Sequence, residues 1–353
     1  MPWAEWAASQ LEAIRAAGQW RAPVARDGLR NFASNDYLGL TRHPTVLSAA
    51  HEALDAAGSG SGSARLIVGS RQVHHDLEDA LAAWKHSERA VLFATGYQAN
   101  LAALTTFGGP HVRVLSDELN HASIIDGCRL SRSDVAVYRH ADVDHAASQL
   151  DGAERAIVVT DSVFSMDGDI APLAELDALC VRTGALLVID EAHAVLGPDY
   201  TPQAAHLRIG TLSKTLGSLG GFVAGTAAFC DLLVNRARPY IFTTASTPAD
   251  SAAALAALSV VCSPEGEALV ARLRSHVERV RAGHPSPIIP VMLGDERVAL
   301  EAAAALAEQG LLVPAIRPPT VAAGTSRLRV ALSAAHTDDD IDELMKALCD
   351  LGV

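Results

Sequence analysis

The stretch Leu187-Val-Ile-Asp-Glu-Ala-His193 decides how this chain folds: branched aliphatic residues in a row, closed by two carboxylates and a histidine. An apolar run without polar alternation is a strand buried on both faces, as in a parallel sheet. Asp190 and His193 then fall at its carboxyl end, the edge where open α/β sheets bind ligands. A carboxylate there is costly unless it meets a cation or a donor; the plainer alternative for Asp190 is an N-cap.

Working outward, short apolar runs recur at 90–93, 112–115, 135–138, 156–160, 186–189, 207–211 and 221–224. Helical spacing recurs near 44–57, 71–86, 97–107, 122–131, 142–150 and 172–183. The alternation predicts an α/β domain with a mostly parallel seven-stranded sheet covered on both faces. Residues 2–18 read as an amphipathic helix and 31–40 as an extended arm. After Pro248 long Ala/Leu/Arg helices (249–260, 264–282, 295–309, 337–351) surround strand candidates at 288–292 and 328–332. We therefore expect an N-terminal helix and arm (1–40), a large domain (41–248) and a small α+β domain (249–353).

The 353 residues carry a net charge of −13 and are 49% hydrophobic, a globular composition. That balance argues against nucleic-acid or anionic-membrane partners, which require a basic surface. Five scattered cysteines without a C-x-x-C pair predict neither disulfides nor a zinc site and point to a reducing cytoplasm. No signal peptide or membrane-spanning run is expected.

Lysine occurs only three times. Lys85 and Lys346 fall on helices with charged neighbours, where a surface position is expected. Lys214, in Gly210-Thr-Leu-Ser-Lys-Thr-Leu-Gly217, follows an apolar strand among small residues, and a desolvated lysine there is a nucleophile or Schiff-base former. Thr95-Gly96-Tyr97 joins a strand to a helix and offers backbone N–H groups to an anion. Gly58–Ser63 follows a helical pattern and reads as a flexible turn or an active-site loop. A lysine for an aldehyde, a carboxylate for a pyridine nitrogen and a helix start for a phosphate are together the requirements of pyridoxal 5'-phosphate.

The segments Asn31–Leu40, Thr95–Asn100, Asp117–Ser123, Thr160–Asp169, Asp190–His193 and Thr211–Lys214, with Ala315–Val321 and Gly324–Arg329, resemble the α-oxoamine synthases. These are pyridoxal phosphate enzymes of the aspartate-aminotransferase fold type, fold type I. The resemblance runs from Trp3 to the C-terminal helix. It implies that Lys214 bonds the cofactor and moves the substrate Cα proton. Asp190 would pair with the ring nitrogen, His193 and Ser165 would bond near the phenolic oxygen, and His121 would stack on the ring. Gly96, Tyr97 and Thr211 would take the phosphate, with Thr244 supplied by a neighbouring subunit of a homodimer. Arg329 would grip the amino acid carboxylate, and Arg21, Asn35, Arg317 and Thr320 would lie near substrate.

The Arg317-Pro-Pro-Thr320 segment implies a decarboxylative acyltransferase joining L-alanine to a pimeloyl thioester, carried by CoA or a carrier protein. The alternatives are a ligase using glycine and acetyl-CoA, a non-catalytic partner subunit, which would lack the lysine, and a nucleotide-binding oxidoreductase, which would need a strand before the Gly-rich loop. No metal is implied. Residues 20–31 and 197–207 are shorter than is usual in the family.

Overall fold

A computed structural model describes residues 1–150 and 154–352. Along the chain run α1 (Trp3–Ala16), β1 (Arg30–Asn31), α2 (Pro44–Ala57), α3 (Gln72–Trp84), β2 (Arg89–Phe93), α4 (Gly96–Phe107) and β3 (Val112–Asp117). Then come α5 (Ala122–Ser131), β4 (Asp134–Tyr138), α6 (Val143–Ser148), β5 (Arg155–Asp161), α7 (Leu173–Thr183), β6 (Leu186–Asp190), β7 (His206–Thr211) and β8 (Gly221–Gly225). The remainder is α8 (Ala227–Arg236), α9 (Arg238–Ile241), α10 (Pro248–Val261), α11 (Pro264–Val280), β9 (Ile288–Gly294), α12 (Glu296–Glu308), β10 (Leu311–Leu312), β11 (Ala315–Ile316), β12 (Ser326–Ala331) and α13 (Asp338–Asp350).

All seven expected strands of the main sheet form, in the order β2-β8-β7-β6-β5-β3-β4. Only β8 opposes the rest, pairing antiparallel with both β2 and β7. The apolar runs explain the burial. Val159 and Val188 face a core shared with α4 and α5, while their neighbours Val158 and Leu187 face a second core with α7. A strand with both faces buried has little place for a carboxylate until its end, and Asp117, Asp161 and Asp190 close β3, β5 and β6 at one edge.

The chain divides into two compact units. The larger comprises residues 34–289 and 331–341, and holds the seven-stranded sheet with α10 and α11. The smaller comprises residues 1–33, 290–330 and 342–353. In it β1 pairs parallel with β10, and β11 pairs antiparallel with β12. This division differs from the expected boundary at residue 248, because α10 packs heavily on α2 and α3 rather than starting a separate body. Helix α8 and the short strands β1, β10 and β11 escape the pattern reading. Among the described residues no single helix is long and apolar enough to cross a membrane.

Lys85 departs from its surface expectation. Its ammonium lies 2.8 Å from Glu191 and 3.8 Å from the centre of the Trp84 ring. Arg208 meets the same carboxylate at 2.7 Å. Burial alone would raise the Glu191 pKa, but the two cations outweigh it and the net shift is downward. Lys346 is exposed on α13, as expected.

His74 on α3 accepts the Arg71 backbone N–H at Nδ1 and donates from Nε2 to the Ser246 carbonyl, both at 2.9 Å. That pattern uses the neutral ring, and burial lowers the pKa from its ordinary 6.5. The unfolded chain therefore binds a proton that the folded ring refuses, so this stability is intact above pH 6.5 and is lost as pH falls below it. The thermal midpoint should drop between about pH 7 and about pH 5, with a shallower drop in His74→Gln; equal slopes would contradict the assignment.

Candidate active site

The site grows from the end of β6. Asp190 Oδ1 accepts the Ala192 backbone N–H at 2.9 Å, and Oδ2 accepts from Asn100 Nδ2 at 2.7 Å. Asn100 sits one turn into α4, and its amide also donates to Ser123 Oγ at 2.9 Å. Its buried Oδ1 has no hydrogen-bond partner within the described protein. Across the β5–β6 pair, Asp161 stands in register with Asp190. Burial, reinforced by Asp190, raises the Asp161 pKa well above its ordinary value, against the opposing N–H of His121 at 2.8 Å. A protonated Asp161 avoids a second negative charge beside Asp190.

At the start of α4, Thr95 caps the helix by accepting the Gln98 N–H at 3.1 Å, an interaction of about 1 kcal/mol. The N–H groups of Gly96 and Tyr97, ahead of that capped position, have no helical partner and are available to an anion. Gly221 on β8 permits the approach: a Cβ there would stand 2.5 Å from both N and Cα of Gly96. A Cβ on Gly96 would in turn press on Thr211, 3.1 Å from its Cβ. Thr211 ends β7, and its hydroxyl donates to the Gly220 carbonyl at 3.0 Å and lies 2.7 Å from Ser213 Oγ. Lys214 follows, half-buried.

His121 caps α5 with its own ring, Nδ1 accepting the Ser123 N–H at 3.2 Å, which places the proton of the neutral ring on Nε2. Burial lowers its pKa from 6.5; nearby Asp190 opposes the shift and Lys214 adds to it. His193 Nδ1 lies 2.6 Å from the Tyr37 hydroxyl, which donates to Asn35 Oδ1 at 3.1 Å. Asn35 is thus linked to the site through Tyr37.

Gly96, Tyr97, His121, Asp190, His193, Thr211 and Lys214 all line one cavity of about 170 Å³. Ser165 is half-buried in the neighbouring loop and is not in the lining. Thr244 is exposed and borders a different crevice with Arg65 and Tyr240. The Gly58–Ser63 loop also stays out of the lining. In the smaller unit, Arg317 is buried and donates to the carbonyls of Gly18 and Trp20 at 2.9 and 3.1 Å. Arg21 is exposed and reaches the Pro318 carbonyl at 3.4 Å, Thr320 is exposed, and Arg329 is buried on β12. Sequence reading assigned no role to Asn100, Ser123, Asp161 or Tyr37. The available signal was their place inside the segments that carry the family resemblance.

An amine, a carboxylate supported by donors, and a glycine-walled helix start converge in this cavity, and they fit pyridoxal 5'-phosphate. If the Gly221–Gly96 contact shapes the phosphate end, Gly221→Ala will weaken cofactor binding on the order of tenfold or more. Titration of apoprotein with pyridoxal phosphate measures this, and unchanged affinity in the folded variant would refute it.

The family described as aminotransferase class I and II matches residues 28–348. The chain is 48% identical over 376 residues to the 8-amino-7-oxononanoate synthase of Anaeromyxobacter dehalogenans, covering 98% of this chain and 94% of that one. It is similar in structure to a serine palmitoyltransferase from S. paucimobilis solved with bound PLP and myriocin, at 29% identity and TM-score 0.90, covering 98% and 96% of the two chains. It is also similar to 8-amino-7-oxononanoate synthase from Francisella tularensis, at 26% identity and TM-score 0.77, covering 92% and 98%. The chain belongs to the aminotransferase class I and II family.

Proposed function

We propose that this chain is a pyridoxal-phosphate-dependent acyltransferase of the 8-amino-7-oxononanoate synthase type. It condenses L-alanine with a pimeloyl thioester and releases carbon dioxide and the thiol, a step of biotin biosynthesis. The observation that carries this reading is 48% identity to relatives of that name along 98% of the chain, joined to a single cavity that holds both Lys214 and Asp190.

Bound pyridoxal phosphate supplies a carbonyl that captures amines and a ring that accepts the electron pair left at the amino acid's Cα. Lys214, in the cavity lining, would hold the cofactor through Nζ and would be the base for the substrate Cα proton. Asp190, fixed by Asn100 and the Ala192 N–H, would keep a proton on the ring nitrogen, and His121 would cover the ring face. The amides of Gly96 and Tyr97 and the Thr211 hydroxyl would orient the phosphate, and His193, with Ser165 from the neighbouring loop, would bond near the phenolic oxygen. By the family resemblance Arg329 would take the substrate carboxylate, since a guanidinium fork matches it in two bonds, and Arg21, Asn35, Arg317 and Thr320 would lie near substrate.

A homodimer with shared sites is part of the proposal. Leu66, Ile67 and Val68 are 50, 73 and 70% exposed and Phe242 is 68% exposed, an apolar surface suited to a second copy. Thr244 stands beside Phe242 and outside its own chain's cavity lining. The unpaired thiols of Cys128, Cys180 and Cys230 suit a cytoplasmic location.

Holoenzyme given L-alanine and pimeloyl-CoA should release CoA faster than holoenzyme given glycine and acetyl-CoA. The reverse ranking would reassign the chain to the 2-amino-3-ketobutyrate CoA ligase reaction.

A further inference from the structure

One charged cluster lies next to the active site without lining it. His140, just beyond the edge strand β4, stands between two carboxylates: Nδ1 is 3.0 Å from Asp117 Oδ1 and Nε2 is 2.6 Å from Asp169 Oδ2. An ionised carboxylate only accepts hydrogen bonds, so both ring nitrogens must donate, and only the imidazolium carries two N–H groups. The ring packs edge-on against Phe164, with centroids 4.4 Å apart.

The two carboxylates belong to different loops. Asp117 ends β3 and is buried; it accepts the N–H groups of Leu119 and Ala141, both at 2.9 Å. From it the chain passes through Asn120, whose amide donates to the Val159 carbonyl at 2.9 Å, to His121. Asp169 closes the turn that contains Phe164 and Ser165, its carbonyl accepting the Phe164 N–H at 3.0 Å. One side chain thus joins the His121 loop to the Ser165 loop.

We propose that His140, as an imidazolium bridge between Asp117 and Asp169, is a positioning residue that sets His121 and Ser165 relative to each other. The inference rests on the reading that these two residues face pyridoxal phosphate. The hydrogen bonds to Asp117 and Asp169 raise the His140 pKa to about 10 despite partial burial, so the bridge stays charged across the neutral range.

The test uses holoenzyme with two substitutions. His140→Gln leaves one uncharged amide for two acceptors, and Asp169→Ala removes only the acceptor on the Ser165 side while keeping Asp117 paired. Both variants should bind pyridoxal phosphate yet show an altered visible circular dichroism band, and kcat should fall on the order of tenfold with a smaller change in KM. Wild-type dichroism and kcat in both variants would overturn the proposal, as would a loss fully accounted for by the fraction that is unfolded or cofactor-free. Because the dichroism needs no substrate, a wild type inactive on both substrate pairs would refute the proposed reaction and leave the bridge decided by the spectra.

Discussion

Everything in the larger unit answers to one constraint: Asp190 ends a strand whose two faces are buried, so its carboxylate must be satisfied by groups brought to it. Asn100 and the Ala192 N–H do this at 2.7 and 2.9 Å. Asn100 lies on the helix whose first turn is proposed to take the phosphate, so a single rigid element would couple the carboxylate end of the cavity to the phosphate end. Gly221 fixes how closely β8 meets that helix. Asp161, in register with Asp190, can share the same low-dielectric edge because burial favours its neutral form.

The neighbouring Glu191 solves the same problem in the opposite way. Its side chain is as buried as that of its partner Arg208, each only 5% exposed. Arg208 and Lys85 compensate the charge directly. Lys85 is therefore engaged in an ion pair, and Lys214 stands as the lysine of the cavity. Two adjacent residues, one held by neutral donors toward the cavity and one by cations, explain why a carboxylate pair closes this strand.

Much of this was legible in the sequence because it is local. The Val/Ile/Leu runs announced all seven strands of the main sheet, and Lys214 stood out by the scarcity of its residue type. The aspartate-aminotransferase fold and the cavity linings at Gly96, His121, Asp190 and His193 followed from short segments. What was not legible depends on partners distant in the chain. Asn100 reads as an ordinary polar residue of a helix until its partner 90 positions away is known. Lys85 reads as a surface lysine until Glu191 is folded beneath it. Helix α8 has a weakly sided apolar pattern, and strands of two residues are too short to show a period.

Asp190, held by Asn100, is proposed to govern the protonation of the cofactor ring. Nitrogen NMR of holoenzyme reconstituted with pyridoxal phosphate labelled at the ring nitrogen tests this directly. A protonated nitrogen is expected in the wild type near neutral pH and a deprotonated one in Asp190→Asn. A deprotonated nitrogen in the wild type, or an identical signal in the variant, would contradict it.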